Sequence, residues 1–186
     1  MSDDDVPDLG PVPQRLVVDA DTVAALVADQ LPQWAHLPVS PVRTPGWDNL
    51  SFHLGDAMLV RLPSAAEYAL AVPKEHRWLP ELRSVLPVAV PTPLALGEPG
   101  RGYPFAWSVY DWLPGAPARP TLADPAGLAG DLASFVLALR RVDPSDGPRP
   151  GVHNWFRGTT LRTYDATARA AVAERSEEHT SELQSH

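Results

Sequence analysis

The chain has 186 residues, a formal net charge of −8 and 44% hydrophobic residues. This composition is typical of a soluble globular protein, and the length is that of about one domain. The chain contains no cysteine, which excludes disulfides, thiolate catalysis and cysteine-ligated metals. The acidic balance argues against nucleic-acid or anionic-membrane partners, and no apolar run has the length of a membrane span. We therefore expect a cytoplasmic enzyme or binding domain.

The first predicted elements are a loose arm, a helix and an edge strand. Residues 1–16 contain prolines, glycines and aspartates without any period, and they predict the arm. A helix follows, capped by Asp19 or Asp21 and ended by Pro32. Residues 39–44 form a strand interrupted by proline, which is typical of the edge of a sheet.

A β-hairpin gives the clearest strand signal in the chain. Apolar and polar residues alternate from Leu50 to Leu54 and again from Met58 to Leu62. Gly55 and Asp56 between them predict a two-residue turn. In this pattern Arg61 has the opposite phase to the apolar residues of its strand, so the two are expected on opposite faces of the sheet.

The remaining pattern predicts a second helix, two more strands and a helical region. The second helix is expected to be short and to begin near Pro73, and the strands cover residues 92–96 and 106–111. A third helix is capped by Asp124 and stops at Asp143. The order of elements indicates an α+β fold, in which a small antiparallel sheet precedes an α-rich region. The third helix has an apolar stripe made of Leu128, Leu132, Phe135, Val136 and Leu139.

The last twelve residues, 175–186, differ from the rest of the chain. They read RSEEHTSELQSH and interrupt the helical spacing that runs from Leu161 to Glu174. The string resembles the in-frame translation of a common sequencing-adapter oligonucleotide. We therefore expect an artefactual tail and a natural chain that is truncated near Glu174, with a natural disordered tail as the alternative. In that case the apolar stripe of the third helix lacks part of its cover, which favours aggregation.

An ordered series of residues predicts a nucleotide site. A loop at residues 44–49 joins two strands, Arg61 lies on the next strand, Glu75 lies on the following helix, and residues 110–115 leave the fifth strand. Kinase-type folds use a loop that covers the phosphates, a strand cation that holds them, a helix glutamate that orients the cation, and a hinge for adenine. Taken singly, Arg61 fits an exposed strand residue and Glu75 a solvated helix residue; the order favours the kinase-like lobe. The candidate nucleotide-binding residues are Gly46, Trp47, Asp48, Asn49, Ser51, Arg61, Glu75, Tyr110, Asp111, Trp112 and Leu113.

Over about residues 15–174 the chain resembles the bacterial aminoglycoside phosphotransferase family of small-molecule kinases. The stretches that carry the resemblance are 46–52, 59–63, 74–80, 103–110, 112–115 and 153–158. The resemblance implies a kinase-like N-lobe with its hinge at residues 17–115 and the start of a helical C-lobe at 116–174. It also implies ATP and Mg²⁺ as cofactors, and a small-molecule hydroxyl, often on an antibiotic, as acceptor. Aminoglycosides, macrolides, choline-like compounds and sugars all stay open.

The chain departs from that family in three respects. The strand cation is Arg61 where many kinases have lysine, and a guanidinium clamps phosphate oxygens bidentately. The loop has one glycine, Gly46, so approach to phosphate also depends on Asn49 and Ser51. The catalytic His-Gly-Asp and the later Asp that binds Mg²⁺ do not occur in the 186 residues. No catalytic residue and no metal ligand is therefore assigned, and we expect the chain to be inactive.

Two other functional classes stay open at this point. One is a non-catalytic nucleotide- or ligand-binding module, in the manner of a pseudokinase lobe. The other is a structural domain without a ligand, which fits the composition equally well.

Overall fold

The computed structural model describes residues 12–44, 46–115 and 124–184. The chain divides into two compact units, one of residues 13–147 and a second that contains residues 148–184. Most of the predicted N-terminal arm lies outside the described residues. At its end the arm is fixed, because the Leu16 amide donates to the carbonyl of Ser64 at 2.7 Å. No helix among the described residues combines the length and the apolar character needed to cross a bilayer.

The first unit contains a five-stranded antiparallel sheet. Its strand order is β1-β2-β3-β5-β4, so that β1 lies at an edge, as its proline predicts. The strand is shorter than predicted and ends at Pro41. The five strands are β1 Val39–Pro41, β2 Asn49–Leu54, β3 Met58–Pro63, β4 Pro93–Gly97 and β5 Trp107–Asp111.

The β2–β3 hairpin is confirmed, but its loop is longer than predicted. Leu54 pairs with Met58, so three residues, 55–57, form the connection. Gly55 has φ +60°, a conformation that glycine adopts without steric cost. Its amide donates to the carbonyl of Pro38 at 2.9 Å, which ties the loop to the segment before β1. This tertiary contact lies outside the local pattern from which a two-residue turn was predicted.

Among the described residues, three α-helices precede β4 in the first unit. Helix α1, Ala20–Gln30, begins at the predicted cap, because Asp19 accepts the Thr22 amide at 2.8 Å. A short helix α2, Ala66–Ala69, leads into α3, Ala71–Val85. The prediction of a short second helix was wrong, since α3 continues through Pro80. Pro80 is exposed, and its ring removes one backbone hydrogen bond without ending the helix.

The core of the unit lies between α1 and one face of the sheet. Val23, Leu26 and Val27 of α1 are buried against apolar side chains of β2, β3 and β5. The strand register explains this face, because Phe52 pairs with Val60 and Val60 pairs with Val109. We call this the apolar face; its buried strand residues are Phe52, Leu54, Val60, Leu62, Trp107 and Val109.

Helix α4, Pro125–Leu139, begins at the predicted cap, where Asp124 accepts the Gly127 amide at 2.8 Å. Its predicted apolar stripe is largely uncovered within the described residues. Leu132 is 55% exposed and Val136 50%, and the neighbouring Leu137 is 55% exposed as well. Residues 116–123, at the predicted start of the C-lobe, lie outside the described residues, so that boundary stays a prediction.

The second unit contains two 3-10 turns, Val152–Asn154 and Leu161–Tyr164, and helix α5, Asp165–Gln184. Asn154 accepts the Gly151 amide at 3.0 Å and donates to the carbonyl of Arg157 at 3.1 Å. The helix backbone continues past residue 174. The predicted interruption at Glu174 is therefore not present in the backbone.

Candidate nucleotide site

Arg61 lies in the middle of the sheet, on the face opposite the core. Its direct cross-strand neighbours are Ser51 on β2 and Ser108 on β5. Residues directly opposite one another in an antiparallel sheet point to the same side. The period of two therefore produces a second surface, which we call the polar face: Ser51, His53, Arg61, Ser108 and Tyr110.

Helix α3 brings Glu75 to this polar face. Arg61 Nη1 lies 3.1 Å from Glu75 Oε2, and Nη2 lies 3.5 Å from Oε1. Both side chains are 25% exposed. The paired contacts match the planar fork of a guanidinium to a carboxylate, which fixes the direction of the arginine. The contact expected between the strand cation and the helix glutamate is present.

Tyr110 is a third member of this arrangement. Its hydroxyl donates to Glu75 Oε2 at 2.5 Å, and its ring centroid lies 5.2 Å from Cζ of Arg61. Burial, followed by the hydrogen bond to Glu75, raises the pKa of Tyr110 above its usual value. The hydroxyl therefore keeps its proton at neutral pH and acts as a donor.

His76 and Ser108 form a second link between α3 and the sheet. His76 Nε2 and Ser108 Oγ are 2.8 Å apart, and the His76 ring lies 6.2 Å from that of Tyr110. Burial lowers the pKa of His76, an effect that the neighbouring charge of Glu75 opposes. Neither His76 nor Ser108 is among the candidate residues predicted from the sequence. The available signal was the sequence position of both residues, since His76 follows Glu75 directly and Ser108 lies two residues before Tyr110, on the same face of β5.

The loop at residues 46–49 leads into β2 at the same end of the sheet. The Asp48 carbonyl accepts the amide and hydroxyl of Ser64 at 2.8 and 3.0 Å. Arg15 donates to the Gly46 carbonyl at 3.2 Å. Asn49, the first residue of β2, pairs with Pro63, which lies two residues after Arg61 on β3. The loop therefore joins the sheet two residues away from Arg61 along the strand direction. Pro45 lies outside the described residues.

The tip of this loop differs from a glycine-dependent phosphate loop. Trp47 donates from its indole to the Tyr68 hydroxyl at 3.2 Å and is 64% exposed. Among the described residues, a Cβ placed on Gly46 would meet only the Asn49 carbonyl oxygen, at 3.6 Å. The space on this side of Gly46 therefore accommodates a small side chain.

In the predicted hinge, residues 111–113, two of the three backbone amides already have hydrogen-bond partners within the protein. Asp111 has the phase of the apolar face, and its carboxylate binds Thr92 and lies 3.8 Å from Arg83. The amides of Asp111 and Trp112 donate to the carbonyls of Thr92 and Ala57 at 3.1 and 2.9 Å. Within the described ranges the Leu113 amide makes no backbone hydrogen bond. It is the remaining amide of this segment with which a base could pair.

The described residues contain no group of three or more histidine or carboxylate side chains that could hold a metal. Glu75, the carboxylate beside Arg61, already accepts from Arg61 and Tyr110. Mg²⁺ prefers octahedral oxygen ligands, with carboxylates among them.

Comparison with known proteins places this fold. Residues 40–185 match the sequence profile of the phosphotransferase enzyme family. The chain belongs to this family. No curated protein matches it.

Solved structures of aminoglycoside phosphotransferases share the fold. The GDP complex of wild-type aminoglycoside 2'-phosphotransferase-IIIa has a TM-score of 0.63 and 18% identity, over 84% of this chain and 52% of that chain. The GDP complex of a point mutant of that enzyme has a TM-score of 0.61 and 20% identity, over 89% and 53%. The GDP and kanamycin complex of APH(2")-IIia has a TM-score of 0.58 and 22% identity, over 65% and 42%. The chain thus spans about half the length of these structures, and the expected α+β kinase-like fold is confirmed.

Proposed function

We propose that the polar face binds the phosphates of a purine nucleoside triphosphate, as part of a phosphotransferase that acts on small-molecule hydroxyls. The observation that carries this proposal is the Arg61 guanidinium, which Glu75 and Tyr110 hold on the polar face. A fixed guanidinium suits the oxygens of a polyphosphate, because its donors form a fork. Kinase-type phosphoryl transfer depends mainly on positioning and on charge neutralisation of this kind.

ATP is the predicted nucleotide, and GTP is the alternative that the fold neighbours suggest. The related structures are named as GDP complexes, and one of them also as a kanamycin complex. By analogy, an aminoglycoside is the first acceptor class to test. The Leu113 amide is the donor that we assign to the base.

The 186-residue chain itself is proposed to bind without transferring phosphate. It contains no His-Gly-Asp sequence, and Glu75 is engaged by two donors and so is not placed to accept a hydroxyl proton. Incubation with γ-labelled ATP, Mg²⁺ and kanamycin should give no labelled aminoglycoside. Labelled product that depends on this chain would contradict the proposal. A non-catalytic binding module predicts the same result.

Nucleotide titration of the wild type and of Arg61→Ala tests the binding role. Calorimetry with ATP, GTP and adenosine should show that the variant binds the favoured triphosphate at least about tenfold more weakly, the value of one charge-assisted hydrogen bond. Adenosine affinity should not change, since adenosine has no phosphate.

Arg77→Ala is the matched control for this titration. Arg77 lies on α3, two residues from Glu75, and forms an exposed ion pair with Glu81. It removes the same charge from the same unit, so its effect on triphosphate affinity should stay within about twofold. If both variants lost the same triphosphate affinity, Arg61 would contribute only through the net charge of the protein and not through a specific contact. If the wild type bound no triphosphate, the proposed function would be wrong.

A further inference from the structure

We infer that Tyr110 is a positioning residue for phosphate binding by Arg61. From β5, the strand that leads into the hinge, it holds Glu75 in place, and Glu75 in turn orients the Arg61 guanidinium. This inference rests on the proposed function and assigns a residue to it. Tyr110 is 1% exposed. It therefore acts on a bound nucleotide through its neighbours and not by touching it.

The geometry concentrates two donors on one oxygen. Glu75 Oε2 accepts the Tyr110 hydroxyl at 2.5 Å and Arg61 Nη1 at 3.1 Å. The ion pair alone is partly exposed, and such pairs hold long side chains weakly because solvent competes for both charges. A buried hydroxyl adds a donor with little rotational freedom. It selects the carboxylate position in which both guanidinium nitrogens have partners.

The aromatic ring of Tyr110 adds a second constraint, which acts directly on Arg61. Its centroid lies 5.2 Å from Cζ of Arg61, which is within the range of a cation–π contact. Tyr110 thus touches both members of the ion pair with different atoms. Tyr110 is also the penultimate residue of β5, directly before the hinge that is predicted to bind the base. It therefore connects the hinge to Arg61, which is predicted to bind the phosphates.

The decisive variant is Tyr110→Phe, which removes the hydroxyl and keeps the ring. Calorimetric titration with ATP and adenosine should show about fivefold to tenfold weaker binding of ATP and unchanged binding of adenosine. The loss is expected to be smaller than the full value of a hydrogen bond to a charged group, because Tyr110 acts only through Glu75. The ratio of the two affinities is the readout. A merely structural role would weaken both ligands together, and so would contradict the inference.

Tyr103→Phe is the matched control. Tyr103 is buried in the same unit, and its hydroxyl donates to the Pro63 carbonyl at 2.8 Å. This variant removes a comparable hydrogen bond without touching Glu75 or Arg61. It should lower the melting temperature without changing the ATP-to-adenosine ratio, and an equal change of that ratio in both variants would overturn the inference.

A double-mutant cycle with Glu75→Ala shows whether Tyr110 acts through Glu75. If it does, Tyr110→Phe should cause no further loss of ATP affinity in the Glu75→Ala background. Fully additive losses would refute the positioning role. A wild type that binds ATP while Tyr110→Phe binds it equally well refutes this inference alone, whereas a wild type that binds neither ATP nor GTP removes the proposed function as well.

Discussion

The two faces of the sheet use the same three strands for different purposes. On the apolar face, Val60 and Leu62 are fully buried against α1. On the polar face of that same strand, Arg61 is a quarter exposed and lies between two serines. Alternate residues of β3 therefore belong to a core and to a candidate site, separated only by the thickness of the sheet.

This difference separates the source of stability from the source of chemistry. Each large apolar side chain buried under α1 contributes about 1.5–3 kcal/mol. A partly exposed ion pair such as Arg61–Glu75 contributes about 0–1 kcal/mol. Substitutions on the apolar face should therefore act on folding, and those on the polar face on ligand binding.

The largest effect is expected from Trp107→Ala on the apolar face. Trp107 is fully buried, and its indole donates to the Glu98 carbonyl at 2.9 Å. Removing it should lower the free energy of unfolding by about 3–5 kcal/mol, because the cavity cannot close completely. Urea denaturation measures this change. The matched control is Trp47→Ala, an indole that is 64% exposed and should cost less than about 1 kcal/mol; equal costs would disprove the contrast.

Within the part of the chain that the structure describes, helix α4 has a largely exposed apolar surface, in contrast to the buried apolar face of the sheet. The wild type should bind the dye ANS, and Leu132→Lys with Leu137→Lys should reduce that fluorescence several-fold. Both leucines are 55% exposed, so the unfolding free energy should change by less than about 1 kcal/mol. The control is Leu161→Lys, a leucine that is 90% exposed outside α4 and should leave dye binding unchanged. A wild type that does not bind ANS would show that this face is covered in solution.

Local patterns in the sequence were sufficient for the parts of the fold that depend on neighbouring residues. Strict alternation placed Arg61 and Val60 on opposite faces of the sheet. Aspartates before apolar repeats marked Asp124 as one helix cap and narrowed the other to Asp19 or Asp21, of which Asp19 is the cap. These features follow from the periods of strands and helices and from the unpaired amides at a helix start. The hairpin was found for the same reason.

Features that depend on distant residues were missed. The contact of Tyr110 with Glu75 needs β5 to lie beside β3, although 43 residues separate the end of β3 at Pro63 from the start of β5 at Trp107. Such a pairing leaves no local signal. One feature of Asp111 could have been predicted from the sequence. Asp111 has the phase of Val109, so its carboxylate turns away from Arg61, and in the structure it accepts from Thr92.

A smaller effect is expected from the pH dependence of stability on the polar face. Burial lowers the pKa of His76, so the unfolded chain takes up this proton at a higher pH than the folded one. Stability should therefore decrease as the pH falls below about 6.5. Urea midpoints at pH about 7.5 and about 5.5 should differ less in His76→Gln than in the wild type. His36→Gln, at an exposed histidine, is the control, and an unchanged slope in His76→Gln would contradict the assignment.

The smallest effect is expected from Gly46→Ala in the loop of the candidate site. The matched comparison is Gly97→Ala, next to Trp107 on the apolar face. Among the described residues, a Cβ on Gly46 would meet only one carbonyl oxygen, at 3.6 Å, whereas a Cβ on Gly97 would overlap the ring of Trp107. Gly97→Ala should therefore cost about 1–3 kcal/mol through overpacking, while Gly46→Ala should change stability by less than about 0.5 kcal/mol and ATP affinity by less than about twofold. If Gly46→Ala kept its stability but lost ATP binding, the phosphates would have to approach the backbone at Gly46 itself. Phosphate binding would then depend on the loop more than on Arg61.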